Sequence, residues 1–136
     1  MNYPAPHTIS FDKIGDPSMG YISVGQNDKL PFEVKRIFWT YHTPESIVRG
    51  RHAHHHTQQI LLAVTGRIVV NTEAADGSIQ TFILDTPDKG VYIPPNVWDT
   101  MQYSHTAILV VMASRLYEAS DYIRDHQEFV QIWGNK

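Results

Sequence analysis

Apolar residues in this chain come in short bursts separated by turn residues. "YISV" (Tyr21–Val24), "FEVKRIFWTY" (Phe32–Tyr41), "QILLAV" (Gln59–Val64) and "RIVVN" (Arg67–Asn71) are such bursts. So are "QTFIL" (Gln80–Leu84), "GVYIP" (Gly90–Pro94), "WDTMQY" (Trp98–Tyr103) and "AILVVMA" (Ala107–Ala113). Their β-branched and aromatic content predicts strands. The breaks between them are rich in Gly, Pro, Asn and Asp. Asp76-Gly77 predicts a hairpin, because both residues tolerate positive φ. Pro94-Pro95 predicts a strand end, because neither residue offers a ladder donor. Only the end of the chain changes period. "SDYIRDHQEFVQIW" places Tyr122, Ile123, His126, Phe129, Val130 and Trp133 on one helical face, with Ser120 or Asp121 as the cap. The expectation is an all-β sandwich or barrel with a short C-terminal helix, one domain over residues 1–136.

Composition narrows the classes. The chain is 42% hydrophobic and 18% charged, which is ordinary for a folded domain. A formal charge of -3 and no run of Lys or Arg argue against a nucleic-acid partner. There are no cysteines, so disulfides and thiolate chemistry are excluded. No stretch has the length to cross a bilayer as a helix, and no basic-then-apolar leader is visible at the start. The expectation is a soluble cytoplasmic protein without a membrane partner.

The chemistry concentrates in "RGRHAHHH", Arg49 to His56. In an extended strand His52 and His54 point the same way and His55 the other. Two imidazoles on one face suit a metal or proton transfer. His52, His54 and Asp99 form a two-histidine, one-carboxylate set adequate for iron. His55 and His56 are expected at the surface.

Gly50, His52, His54, Gln58 or Gln59, and Gly66 resemble the first motif of the cupins, small double-stranded β-helix (jelly-roll) barrels. Gly90, Pro94 and Asn96 resemble the second, with Asp99 where its histidine stands. Longer stretches are similar to the sugar-nucleotide 3,4-ketoisomerases of that superfamily: "PFEVKRIFW", "RGRHAH", "GVYIPPNVW" and "YEASDYIRDHQEF". The similarity runs from Phe11 to Gln131. It implies an isomerase that moves the ketone of dTDP-4-keto-6-deoxyglucose from C4 to C3, toward 3-amino-3,6-dideoxy sugars of surface glycans or antibiotics. It implies a homodimer with exchanged strands and no cofactor. It places the key histidines on His52 and His54, and the family's arginine on Arg49. Two departures stand out: Asp99 replaces the usual histidine after Val-Trp, and "SMGYI" (Ser18–Ile22) replaces an Arg-Gly-x-Leu-like stretch.

Such a tautomerisation needs a group that takes and returns a proton, and no hydride acceptor. His54 is expected at carbon, with His52 shuttling or orienting. Gln59 or a tyrosine is a candidate donor to the enolate oxygen. Arg49 is the candidate for the diphosphate, and Arg36 a second one that the strand pattern could turn outward. Trp39, Tyr41, Trp98 and Tyr103 could stack on a base or fill the core. Asp99 could orient a histidine, bind a sugar hydroxyl or complete a metal site. Two other readings stay open: a metal-dependent cupin using His52, His54 and Asp99, and a sugar-nucleotide binding module without catalysis.

Overall fold

The computed structural model describes residues 2–134; Met1, Asn135 and Lys136, which the single-domain expectation includes, lie outside the described residues. The strands in chain order are β1 (His7–Ser10), β2 (Ile14–Asp16), β3 (Gly20–Ile22), β4 (Arg36–Thr40), β5 (Val48–His54) and β6 (Gln59–Thr65). They continue as β7 (Ile68–Glu73), β8 (Ile79–Leu84), β9 (Lys89–Ile93), β10 (Trp98–Tyr103), β11 (Ile108–Ala113) and β12 (Tyr122–Ile123). One helix follows, α1 (His126–Trp133). Two five-stranded antiparallel sheets face each other, ordered β1-β9-β6-β11-β4 and β12-β5-β10-β7-β8. This is the expected jelly roll. The hairpin β2-β3 belongs to neither sheet.

Alternation along the strands fills the lumen. Leu61 and Ala63 of β6, Ile68 and Val70 of β7, Met101 and Tyr103 of β10, and Leu109 and Val111 of β11 meet there in one apolar cluster. Gly66 closes the β6–β7 turn with φ of 77°, and a side chain there would lie 2.5 Å from the Ala107 Cα. No helix among the described residues is long and apolar enough to cross a membrane.

The C-terminal segment departs from the sequence expectation. Ala119–Asp121 forms a single 3₁₀ turn, and Tyr122–Ile123 then runs extended as β12 against His54 and Ala53 of β5. Asp125 caps the helix instead, its carboxylate accepting from the Gln127 N–H at 2.9 Å. Neither Ser120 nor Asp121 caps it. The aromatic and β-branched pair 122–123 is a better strand than helix start, and the open edge of β5 accepts it. Phe129 is the buried residue of α1, packed with Trp98, Ile123 and Ala53. Val130, expected on the same face, is 41% exposed.

Trp39 and Tyr41 do not join the core. They point outward from β4, 61% and 56% exposed, because Arg36, Phe38 and Thr40 occupy its inner face.

Phe129→Ala is expected to cost about 3–5 kcal/mol of stability, the range for a buried aromatic truncated to Ala. Val130→Ala should stay within about 0.5 kcal/mol, as for surface changes. Denaturant melts of the two variants check this; equal losses would mean that α1 docks through a different face.

Candidate active site

The edge strand β4 and the strand β5, flanked on its outer side only by the two-residue β12, do not pair with each other. Phe38 and Thr40 of β4 share a small cavity with Arg49, Gly50 and His52 of β5. Arg36 continues the inner face of β4 and acts electrostatically on His54. The cleft between these edges therefore carries Arg36 toward its His54 end and Arg49 toward its Thr40 end. Arg36 is turned inward, which the sequence left open, and its guanidinium lies over the rings of Phe38 and Tyr117.

Strict alternation would put Arg49 and His52 on opposite faces. A β-bulge prevents this. Met101 of β10 pairs with Arg49, Thr100 with Gly50, and Asp99 with His52, so Arg51 is the extra residue. Gly50 (φ 81°) and Arg51 (φ 56°) adopt left-handed backbone to accommodate it. His52 and His54 then follow on one face, as expected, with ring centroids 5.1 Å apart.

Each imidazole is fixed through the same atom. The Nδ1–H of His52 donates to the Gly50 carbonyl at 3.0 Å, and that of His54 to the Asp121 carboxylate at 3.1 Å. A carbonyl and a carboxylate can only accept, so Nδ1 carries the proton in both rings. In the neutral rings Nε2 is therefore a bare lone pair, and that of His54 is buried without a partner. Burial lowers both imidazoles to about 4. For His52 the Gly50 contact opposes this and Arg124 adds to it; for His54 His52 adds to it and Asp121 opposes it. Both rings are neutral bases at pH 7.

Asp121 is the organiser that the sequence reading missed. Burial pushes its carboxyl up. Hydrogen bonds from the Thr57 hydroxyl, the His56 N–H and His54 outweigh this and hold it below the usual carboxylate range. Tyr122 was also missed. Its ring packs 4.3 Å from that of His54 and 5.3 Å from that of His52, with the Arg124 guanidinium 4.3 Å from its centroid. Both residues lie in the stretch "YEASDYIRDHQEF" that carried the family resemblance. A helical reading of it hid their role.

The remaining candidates divide. Gln59 is 2% exposed and, unlike Gln58, lines the same cavity as His52 and Arg49. Gln58 accepts from the Tyr92 hydroxyl at 2.7 Å. Tyr103 is a core residue at the cavity wall with its hydroxyl toward the Met101 sulfur. Trp98 is core under α1. His55 and His56 are half-buried and exposed respectively. The cavity itself is ≈ 70 Å³, too small for a nucleotide-linked hexose.

Asp99 lies in the barrel wall, 1% exposed. Neither of its oxygens has a hydrogen-bond partner. Its Oδ1 is 4.0 Å from Nε2 of His52. Burial raises its carboxyl to about 8. Among the described residues no three His, Asp or Glu groups stand in a metal-ligating arrangement, the His52–His54–Asp99 set included.

The Asp99 carboxyl has a stability signature. Its value lies above that of an unfolded chain, so the folded state keeps a proton that the unfolded state releases. Stability is therefore lost as pH rises through the window from about 4 to about 8. Asp99→Asn lacks this loss. Its melting temperature should exceed that of the wild type by a margin that grows from pH 4 to pH 8 and then levels off, read by thermal scans across pH; a pH-independent margin would mean that the carboxyl is not so perturbed.

The family model FdtA (WxcM-like, C-terminal) matches residues 5–134. A TDP-4-oxo-6-deoxy-alpha-D-glucose-3,4-oxoisomerase from Aneurinibacillus thermoaerophilus is 34% identical over 125 residues, covering 89% of this chain and 87% of that one. The crystal structure of a 3,4-ketoisomerase from Helicobacter canadensis is 32% identical, with a TM-score of 0.88 over 93% of this chain and 96% of that one. A histidine-to-asparagine mutant of the 3,4-ketoisomerase QdtA from Thermoanaerobacterium thermosaccharolyticum, solved with TDP-4-keto-6-deoxyglucose, is 27% identical, with a TM-score of 0.89 over 98% of this chain and 96% of that one. With a match over nearly its whole length and the histidine pair in place, this chain belongs to the FdtA (WxcM-like, C-terminal) family.

Proposed function

We infer that the chain is a sugar-nucleotide 3,4-ketoisomerase that moves the ketone of TDP-4-keto-6-deoxyglucose from C4 to C3. The observation that carries this reading is the histidine pair: two neutral imidazoles, pinned at Nδ1 and bare at Nε2, on one face of the cleft. The curated relative and the solved neighbours named for this activity support the substrate class.

The C4 ketone acidifies the hydrogen on C3. Nε2 of His54 removes that proton and later delivers it to C4. The imidazolium formed in between is stabilised by the Asp121 carboxylate at 3.1 Å, which also fixes the tautomer. His52 accepts from a sugar hydroxyl through its own Nε2 and orients it. No hydride leaves the sugar, so the reaction as written calls on no redox cofactor. The Tyr122 ring closes one side of the histidine pair and shields it from water. Arg49, exposed at the other end of the cleft, takes the diphosphate by paired guanidinium hydrogen bonds.

The functional unit is a homodimer. The outer face of the β1-containing sheet carries Ile37, Trp39 and Val64, each more than two-fifths exposed. Beside it lies an apolar groove of ≈ 420 Å³ lined by Phe11, Tyr21, Val24, Leu62, Val64 and Met112. The β2-β3 hairpin, with Ile14 55%, Met19 86% and Ile22 66% exposed, is the arm that crosses to the second copy. Sedimentation should give twice the 15.6 kDa chain mass; Trp39→Glu should shift it to one.

Incubation with TDP-4-keto-6-deoxyglucose, followed by proton NMR in heavy water, tests the reaction. The wild type should generate the 3-keto sugar and exchange the C3 hydrogen. His54→Asn should lower exchange by at least about 10²-fold, the usual contribution of a general base. Retained exchange in that variant would remove His54 from the role. Arg49→Leu should raise KM about tenfold and leave kcat nearly unchanged, as loss of uniform binding does.

A further inference from the structure

The two histidines supply acceptors only. With Nδ1 held by Gly50 and Asp121, each keeps a bare Nε2, that of His54 buried and without a partner. A ketone oxygen that becomes a hydroxyl needs a proton donor beside it. Gln59 offers an amide, which can hydrogen-bond but cannot give up a proton under these conditions.

Asp99 meets the requirement by position. It pairs with His52 across the β5–β10 ladder, so both side chains share the inner face. Its oxygens are buried and unpartnered. Gly50 makes room for it: any side chain at that position would come within 2.9 Å of Oδ1. The 4.0 Å between Oδ1 and Nε2 of His52 is too long for a direct hydrogen bond. A ligand oxygen must displace the groups around the buried Asp99 oxygens to come within about 2.8 Å of one of them. Such an atom would accept from the Asp99 carboxyl as a carbonyl, and only as a hydroxyl could it donate to Nε2 of His52.

We propose that Asp99 is the acid of the isomerisation, giving its carboxyl proton to the ketone oxygen O4 while His54 takes the proton from C3. This rests on the ketoisomerase reading above. In the first half, the C3–H bond and the Asp99 O–H bond break while the His54 N–H and O4–H bonds form. The sugar is then an enediol, with an imidazolium and a carboxylate balancing each other. In the second half, the His54 N–H proton moves to C4. The O3 hydroxyl gives its proton to the Asp99 carboxylate, leaving a ketone at C3. Both protein groups end as they began. Asp99 lies opposite His52 across the β5–β10 ladder, and His54 is two residues further along the same face of β5.

Asp99 is faced by His52 from β5, by Thr72 from β7, which does not titrate, and by Tyr103 along its own strand, on which the charge of Arg49 also acts. It is active when protonated, below about 8, and His54 is active when deprotonated, above about 4. The kcat profile of the wild type should thus be level between these values and fall on either side.

The test is kcat and KM against pH for wild type and Asp99→Asn on TDP-4-keto-6-deoxyglucose, with melting curves to establish that the variant is folded. Asn keeps the size and a hydrogen-bond donor and loses only the transferable proton. The expected result is kcat lowered about 10²-fold or more, as for loss of a general acid, with KM within threefold and the alkaline fall near pH 8 gone. A folded Asp99→Asn protein with kcat within threefold of wild type, or with the alkaline fall intact, overturns the proposal while leaving the ketoisomerase reading standing. A wild type that leaves the sugar unchanged overturns that reading, and this inference with it.

Discussion

The site is held together by one short-range contact between distant parts of the chain, the hydrogen bond from His54 to Asp121. The residues are 67 positions apart. Two pieces of backbone bring them together. Tyr122 and Ile123 pair with His54 and Ala53, and the His55 N–H donates to the Asp121 carbonyl at 2.9 Å. The Asp121 side chain then collects the Thr57 hydroxyl and the His56 N–H as well. A buried carboxylate with that many donors stays ionised, and an ionised carboxylate fixes the tautomer of the imidazole beside it. Tyr122 is brought against both histidines by the same pairing. Remove the contact and the His54 ring, its orientation and its aromatic cover would all loosen together.

Against that satisfied carboxylate stands Asp99, equally buried and without a partner. The two acids sit in one protein wall with opposite protonation. Hydrogen bonds hold Asp121 low, and bare burial holds Asp99 high. Environment alone, not residue type, divides them into an anion that stabilises and an acid that can give. The histidines between them are neutral for the same reason as Asp99: desolvation disfavours whichever form carries charge.

Much of the fold was legible in the sequence. Alternation and turn residues located most strands, because each has one face toward the lumen and one toward solvent. The His52–His54 face followed from a period of two. What remained hidden depends on non-local pairing. β1 and β2 are short and exposed, with no apolar alternation to mark them. β12 has only two residues, below any pattern, and its neighbours suggested a longer helix. Asp121 reads locally as a cap, and only its ladder partner makes it a site residue. Trp39 and Tyr41 looked like core because aromatic rings usually are. Their exposure reflects a sheet face that a single chain does not cover. Arg36 was ambiguous for a simple reason: its direction depends on the strand's register, which composition does not set.

The bulge at Gly50–Arg51 bears on how this site could change. One inserted residue separates the phase of Arg49 from the phase of the histidines. Excising it would rotate one group to solvent while leaving the other in place, so no single-residue deletion in this strand preserves both. The strand is thus locked in length as well as in composition. A facing position such as Asp99 differs in this respect, because a side chain there can be exchanged without moving the backbone that aims the imidazoles.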